Sequence, residues 1–231
     1  MIAIRKSAER GFRDRGWLRS HLTFSFGDYQ DGIPAFRALR VLNEERIMPG
    51  KGFGPHSHRD MEILSFMIDG HLAHRDSLTG PHVLGPGELQ AMTAGDGIVH
   101  SEFNASDTEP AHLLQIWIAP RSEDLTPSYQ QIGYSPEDAR SRLHLLAAPE
   151  AADRERTAVI NQDARVYVAD IEAGDRLTHP LGDGRHAWVQ VFRGTVDVNG
   201  RSLETGDAAA ISDEASVALS GAGAVLLFDL P

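Results

Sequence analysis

The chain of 231 residues has no cysteine. Disulfide staples, thiolate nucleophiles, iron–sulfur clusters and cysteine zinc sites are therefore excluded. Any metal must be held by His, Asp or Glu. Basic residues are also short: 22 Lys and Arg stand against 33 Asp and Glu, a formal net charge of -11. Such a chain repels phosphate backbones, which argues against nucleic acid or an anionic membrane as partner and leaves a basic protein open. No apolar run approaches the roughly 20 residues of a membrane helix. The opening MIAIRKSAERGFRDRGW carries charge where a secretion signal needs an apolar core. A soluble, cytoplasmic protein is the expectation.

Helix signals are scarce as well. SPEDARSRLHLLA is the one good candidate, with Ser135 as cap, Pro136 at the first helical position, Glu137 and Asp138 in the first turn, and Leu143 and Leu146 on one face. It lies in a polar stretch from about Pro120 to Ala164, too long for a tight loop and read as an irregular connection. What the chain has in abundance is short β-type runs. RALRVLNEERI, MEILSFMIDG, HLLQIWIA, RVYVADIEA, AWVQVFRGTVDVNG and AVLLFDL are branched or aromatic and end at turn formers. Gly85-Pro86-Gly87, Gly95-Asp96-Gly97 and Asn199-Gly200 mark turns. The pattern predicts an all-β barrel or sandwich.

The two halves repeat weakly. AHLLQIWIAP resembles the C-terminal AGAVLLFDLP, which matches Trp117 with Phe228 and Pro120 with Pro231. Gly70 in FMIDGHL matches Gly194 in VFRGTVDV, and Gly87-Glu88 matches Gly206-Asp207. Three matches in one order predict a duplicated barrel: residues 1–120, a linker over 121–164 with a short helix, and residues 165–231. Duplication within one chain makes a monomer plausible.

His56 and His58 are two apart in GFGPHSHRDMEIL, and His100 and Glu102 are two apart in GIVHSEF. Side chains alternate faces along a strand, so each pair points one way. Two such strands can converge on one ion, and imidazole with carboxylate suits Fe(II), Mn(II), Ni(II), Cu(II) or Zn(II). Eleven histidines make chance pairs common. His71 and His74 form one, read as a turn or pocket rim. The ligand-like pairs differ in context, since each follows a glycine-rich turn and starts a strand. Strict alternation puts Glu62 on the face of His58, so Glu62 competes with Glu102 as the carboxylate.

Gly50, His56, His58, Glu62 and Gly70 follow the first motif of the cupins, and Gly97, His100 and Asn104 follow the end of the second, with Gly95 where a proline is usual. HLTFSF at 21–26, GFGPHSHRDMEIL and QAMTAGDGIVHSEFN resemble the pirin family more closely than cupins at large, and within it the pirin-like quercetin dioxygenases. The resemblance covers most of residues 1–120 and reaches the C-terminus weakly. It implies a bicupin, two consecutive jelly-roll β-barrels, with one divalent metal in the first held by His56, His58, His100 and Glu102. It favours Glu102 over Glu62, and Glu62 also lies about 13 Å further along an ideal strand than His58. Glu62 is then an outer residue pairing with His100 or Arg59. The second barrel offers THPLGDGRH, with His179 and His186 too far apart for such a pair, and ISDEASV, with no histidine. It is expected to bind no metal and to act structurally.

The resemblance implies a ring-cleaving dioxygenase acting on a flavonol such as quercetin, with O2 as co-substrate and release of carbon monoxide. Fe(II) is the expected ion, with Ni, Mn, Cu, Zn or Co as alternatives. The partner is a small, chelating aromatic substrate. Glu102 is the expected base, with Glu62 in reserve. Phe53, Met67 and Met92 are read as core more readily than as pocket walls. The alternative function is an iron-binding, redox-sensing regulator that contacts a protein partner.

Overall fold

The computed structural model describes residues 1–231. In chain order the strands are β1 (Ile2–Arg5), β2 (Gly11–Asp14), β3 (Leu18–Leu22), β4 (Leu39–Ile47), β5 (Gly52–His58), β6 (Glu62–Asp69), β7 (Leu72–Asp76), β8 (His82–Leu84), β9 (Glu88–Thr93) and β10 (Ile98–Asn104). There follow β11 (Ala111–Ile118), β12 (Ser128–Gly133), β13 (His144–Ala148), β14 (Ala158–Val159), β15 (Arg165–Ile171), β16 (Arg176–Pro180), β17 (His186–Val198), β18 (Arg201–Glu204), β19 (Ala208–Ile211) and β20 (Ser216–Leu230). The one α-helix, α1, is the single turn Pro136–Ala139. The protein is thus nearly all-β, as expected.

The chain forms two compact units. The N-terminal unit comprises residues 11–133 and 158–162, and the C-terminal unit residues 1–10, 134–157 and 163–231. The N-terminal unit has two sheets, one ordered β12-β9-β6-β11-β4-β3-β2 and one ordered β5-β10-β7-β8. β10 alternates buried and exposed residues, so Ile98, His100, Glu102 and Asn104 face inward and Val99 and Phe103 outward. Glu102 reaches Ser65 on β6, Gln90 on β9 and Gln115 on β11, so the inner faces of the two sheets meet at this side chain. Leu18, Ile47, Met67, Leu72, Leu84 and Leu113 form one apolar cluster beside it.

In the C-terminal unit the pairing runs β1-β19-β17-β20-β15-β13, with β16 on β20 and β18 on β17. One aliphatic cluster in it includes Val189, Val191, Val198, Leu203, Val217, Leu219 and Leu227. The glycine matches of the repeat hold in three dimensions. Gly70 and Gly194 both have φ near +75°, at 75° and 73°. A Cβ on Gly70 would strike the backbone of Pro110 and Ala111, and one on Gly194 that of Ala222 and Gly223. These contacts set the repeat one residue away from the sequence match: Pro110 corresponds to Ala222, so Trp117 corresponds to Asp229, not Phe228.

Three expectations need correction. The helix stops at Ala139, because Ser141 takes φ 55° and residues 144–148 form β13, which pairs with β15. Leu146 therefore packs from a strand, where a cross-strand partner outweighs helical spacing. The linker is not mostly irregular, since β12, β13 and β14 lie within it. The chain's first ten residues are not part of the first unit. β1 pairs antiparallel with β19, from Ile2↔Ile211 to Arg5↔Ala208, and Lys6 Nζ bonds Asp207 at 2.7 Å.

Candidate metal centre

The site grows from β5 and β10, which pair antiparallel with His100 opposite His56 and Ile98 opposite His58. A register shift between His100 and Glu102 places Glu102 opposite Phe53. The ring centroids of His56, His58 and His100 are 4.4 to 4.9 Å apart in all three pairings. One donor nitrogen from each lies within 4.8 Å of the others. His56 Nδ1 donates to Gly54 O at 2.8 Å, which fixes the tautomer and leaves Nε2 as a free lone pair. Burial, then the neighbouring His56, lowers the His58 pKa to about 4. Burial, then His56 and His58, lowers that of His100 to about 3. Both rings are neutral at neutral pH, the form in which imidazole ligates a metal.

His100 is 1% exposed, and neither of its ring nitrogens has a hydrogen-bond partner. An orphaned buried imidazole is costly and asks for an explanation. A cation supplies one, so the residues present fit a metal. Glu102, 3% exposed, accepts from Ser65 Oγ at 3.2 Å and from Gln90 Nε2 on one oxygen, and from Gln115 Nε2 at 3.4 Å on the other. Burial raises its pKa against the opposing pull of His74, Gln90, Ser65 and His56. A cation in the cluster would favour the charged form.

His74, read from the sequence as a turn or rim residue, is neither. It stands on β7 opposite Glu102, 1% exposed, and one donor atom each from His74, His100 and Glu102 lie within 4.8 Å of one another. Its Nε2 donates to Asp76 Oδ2 at 2.8 Å, and its ring stacks on Tyr129 at 4.7 Å. Burial would raise Asp76, but hydrogen bonds from Thr79, His74 and Leu78 hold its pKa low, so it is the acceptor. The spacing His74-x-Asp76 was the available signal. The β7–β10 pairing that gives it meaning is not local in sequence.

Glu62 is elsewhere. It is 1% exposed on β6, accepts from Thr93 Oγ1 at 2.9 Å and from Asn161 Nδ2 at 3.2 Å, and pairs with neither His100 nor Arg59. Asp60 takes φ 49° between β5 and β6, so alternation does not carry across that break. The two strands belong to different sheets.

A cavity of about 200 Å³ opens on the cluster, walled by Phe26, Phe53, Val41 and Trp117, with Asn43 and Glu45 among its polar lining. Phe26 and Trp117 meet edge to face at 5.5 Å. Phe53 is therefore a pocket wall, while Met67 and Met92 are fully buried core. Burial and the nearby Glu102 charge push the Glu45 pKa up to about 8.

The pirin family profile matches residues 4–118, and the quercetinase C-terminal cupin domain matches residues 145–230. A quercetin 2,3-dioxygenase of Escherichia coli (strain K12) is 41% identical over 234 residues, covering 100% of this chain and 99% of that protein. The chain belongs to the pirin family. Another pirin relative, a pirin-like protein of Caulobacter vibrioides, is 37% identical over 221 residues, 95% of this chain and 94% of that one. The crystal structure of the bacterial pirin YhhW from Escherichia coli in complex with nickel(II) superposes with a TM-score of 0.94 at 40% identity, covering 100% of this chain and 99% of that one. Pirin membership makes both parts of the chain cupin domains. No helix of this pirin is long and apolar enough to cross a membrane.

Proposed function

We propose that this pirin is a metal-dependent dioxygenase that opens the ring of a flavonol such as quercetin with O2 and releases carbon monoxide. His56, His58, His100 and Glu102 hold one divalent ion. Fe(II) is the first choice, and the donor set accepts Ni(II), Mn(II), Co(II), Cu(II) or Zn(II). The observation that carries this reading is His100, buried with both nitrogens unpartnered beside two half-buried histidines, His56 and His58, which with Glu102 line an aromatic-walled cavity. The relative named for quercetin and the nickel complex support it.

A bound ion supplies Lewis acidity, which lowers the pKa of a chelating flavonol 3-hydroxyl and fixes its position. The chain supplies the rest. Phe26, Phe53 and Trp117 offer flat apolar surface to the rings and exclude water. Ser65 and Gln90 hold one Glu102 oxygen. The other, Oε2, has the longer bond from Gln115, and in this reading it takes the 3-hydroxyl proton. Both atoms of O2 enter the products, and one ring carbon leaves as carbon monoxide.

The test is anaerobic loading with Fe(II), elemental analysis, then quercetin and oxygen. One ion per chain and equal consumption of quercetin and O2, with matching carbon monoxide, are expected. Tight metal binding with no turnover would instead favour the redox-sensing regulator.

A further inference from the structure

The cavity at the metal cluster does not end at the aromatic walls. A second cavity of about 70 Å³ shares Phe26, Asn43, Glu45 and Phe53 with it and continues to Ser20 and Arg15. Asn43 and Glu45 therefore stand at the neck between the two. Both are on β4, two residues apart, so both point to the same face. Asn43 is 2% exposed, and its carbonyl oxygen Oδ1 has no hydrogen-bond partner. The Asn43 side chain also hydrogen-bonds the Glu45 carboxyl, and since Oδ1 has no partner the bond is made by the amide nitrogen. The amide N–H thus serves Glu45, and the oxygen is left to the cavities.

A buried carbonyl without a donor is costly, and a site built around one rejects ligands that bring none. Aliphatic neighbours cannot satisfy it. Leu18 and Leu22 line the far chamber and offer no donor, and Arg13, Arg15 and Ser20, which line it too, make no bond to this oxygen. The missing partner is a hydroxyl, carried by a ligand that already fills the near chamber.

We propose that Asn43 forms a second recognition point, accepting a hydrogen bond from a hydroxyl remote from the ligand's chelating end. The favoured class is then polyhydroxylated aromatics, not chelating aromatics in general. This rests on the proposed chelating site for its near end. The remote hydroxyl passes the Phe26–Phe53 walls and reaches the neck, where Asn43 Oδ1 receives it.

The test compares quercetin with 3-hydroxyflavone, which keeps the chelating pair and lacks the other hydroxyls. Binding to metal-loaded protein is followed anaerobically by tryptophan fluorescence, so turnover is not the readout. Wild type is expected to prefer quercetin by roughly ten- to hundred-fold. Asn43→Leu, similar in volume and without an acceptor, should bring the two affinities together, with metal content followed by elemental analysis on the same sample. A quercetin whose remote hydroxyls are methylated gives the same information on wild type alone, whether or not the variant folds, and should bind like 3-hydroxyflavone. Equal affinities in wild type, or a preference that survives methylation or Asn43→Leu, would overturn the recognition point. A preference without turnover would leave it standing and remove the dioxygenase reading. Failure to bind either flavonol would remove both.

Discussion

The two units use one strand plan to opposite ends. Gly70 and Gly194 anchor the comparison, and the ladders on either side then pair position with position. Where the N-terminal unit has His56, His58, His100 and Glu102, the C-terminal unit has His179, Leu181, Val217 and Leu219. Where Ser65, Gln90 and Gln115 surround Glu102, the counterparts are Val189, Ala209 and Leu227. His74 becomes Val198. Every replacement except His179 belongs to the C-terminal aliphatic cluster. His179 is the one imidazole kept, and Asp229 holds it at 2.9 Å, with Arg185 on the same carboxylate.

A strand framework does not specify a metal site; about eight inward side chains do. The C-terminal set buries apolar surface with nothing left unpaired. The N-terminal set keeps imidazoles and a carboxyl group inside, a cost that a dry core avoids. The difference also explains why the first unit's apolar residues sit beside the cluster and do not fill its centre.

The most severe way to break the contrast is to write the second unit's residues into the first. His100→Val with Glu102→Leu should lose the metal entirely and with it quercetin turnover, by elemental analysis and oxygen uptake, while circular dichroism keeps its β signature. Retained stoichiometric metal would sink the ligand assignment. The reverse substitution, Leu219→Glu, buries a carboxylate at a position 1% exposed among aliphatic neighbours. It should cost about 3–5 kcal/mol in denaturant unfolding, and a cost under about 1 kcal/mol would mean that water reaches that core.

A smaller effect concerns the retained pair. Burial would raise Asp229, but His179 and Arg185 outweigh it, so its pKa lies below the ordinary 3.8. A lowered carboxylate stabilises the fold above its unfolded value, and that contribution drains away as pH falls through the folded one. Asp229→Asn should therefore cost about 2 kcal/mol at neutral pH and progressively less below pH 4, as followed by unfolding at a series of pH values. The same cost at every pH would show that packing, not charge, is lost. The smallest change is expected for Glu62→Gln, which keeps acceptor and shape beside Thr93 and Asn161. Metal content should be unchanged and stability should move by no more than about 1 kcal/mol. Metal loss in this variant would restore Glu62 as a ligand candidate.

Much of this was legible in the sequence where the physics is local. Alternation along one strand brought His56 with His58 and His100 with Glu102, and Gly70 and Gly194 showed the duplication because φ near +75° favours glycine. Alternation misled at Glu62, where Asp60 breaks the strand, and helical spacing misled at Leu146, which lies in β13 beside β15. His74 and the donors around Glu102 stayed hidden, since each comes from a different strand.

By itself, then, the sequence determined strand content, the repeat and which side chains travel in pairs, because those follow from backbone geometry over a few residues. Only the tertiary structure decided that β1 joins the C-terminal unit, that Asn43 faces two cavities and that His100 lies unpartnered beside His74. Those outcomes depend on which distant strands pair and what they shut away from water, and no short stretch of chain carries that information.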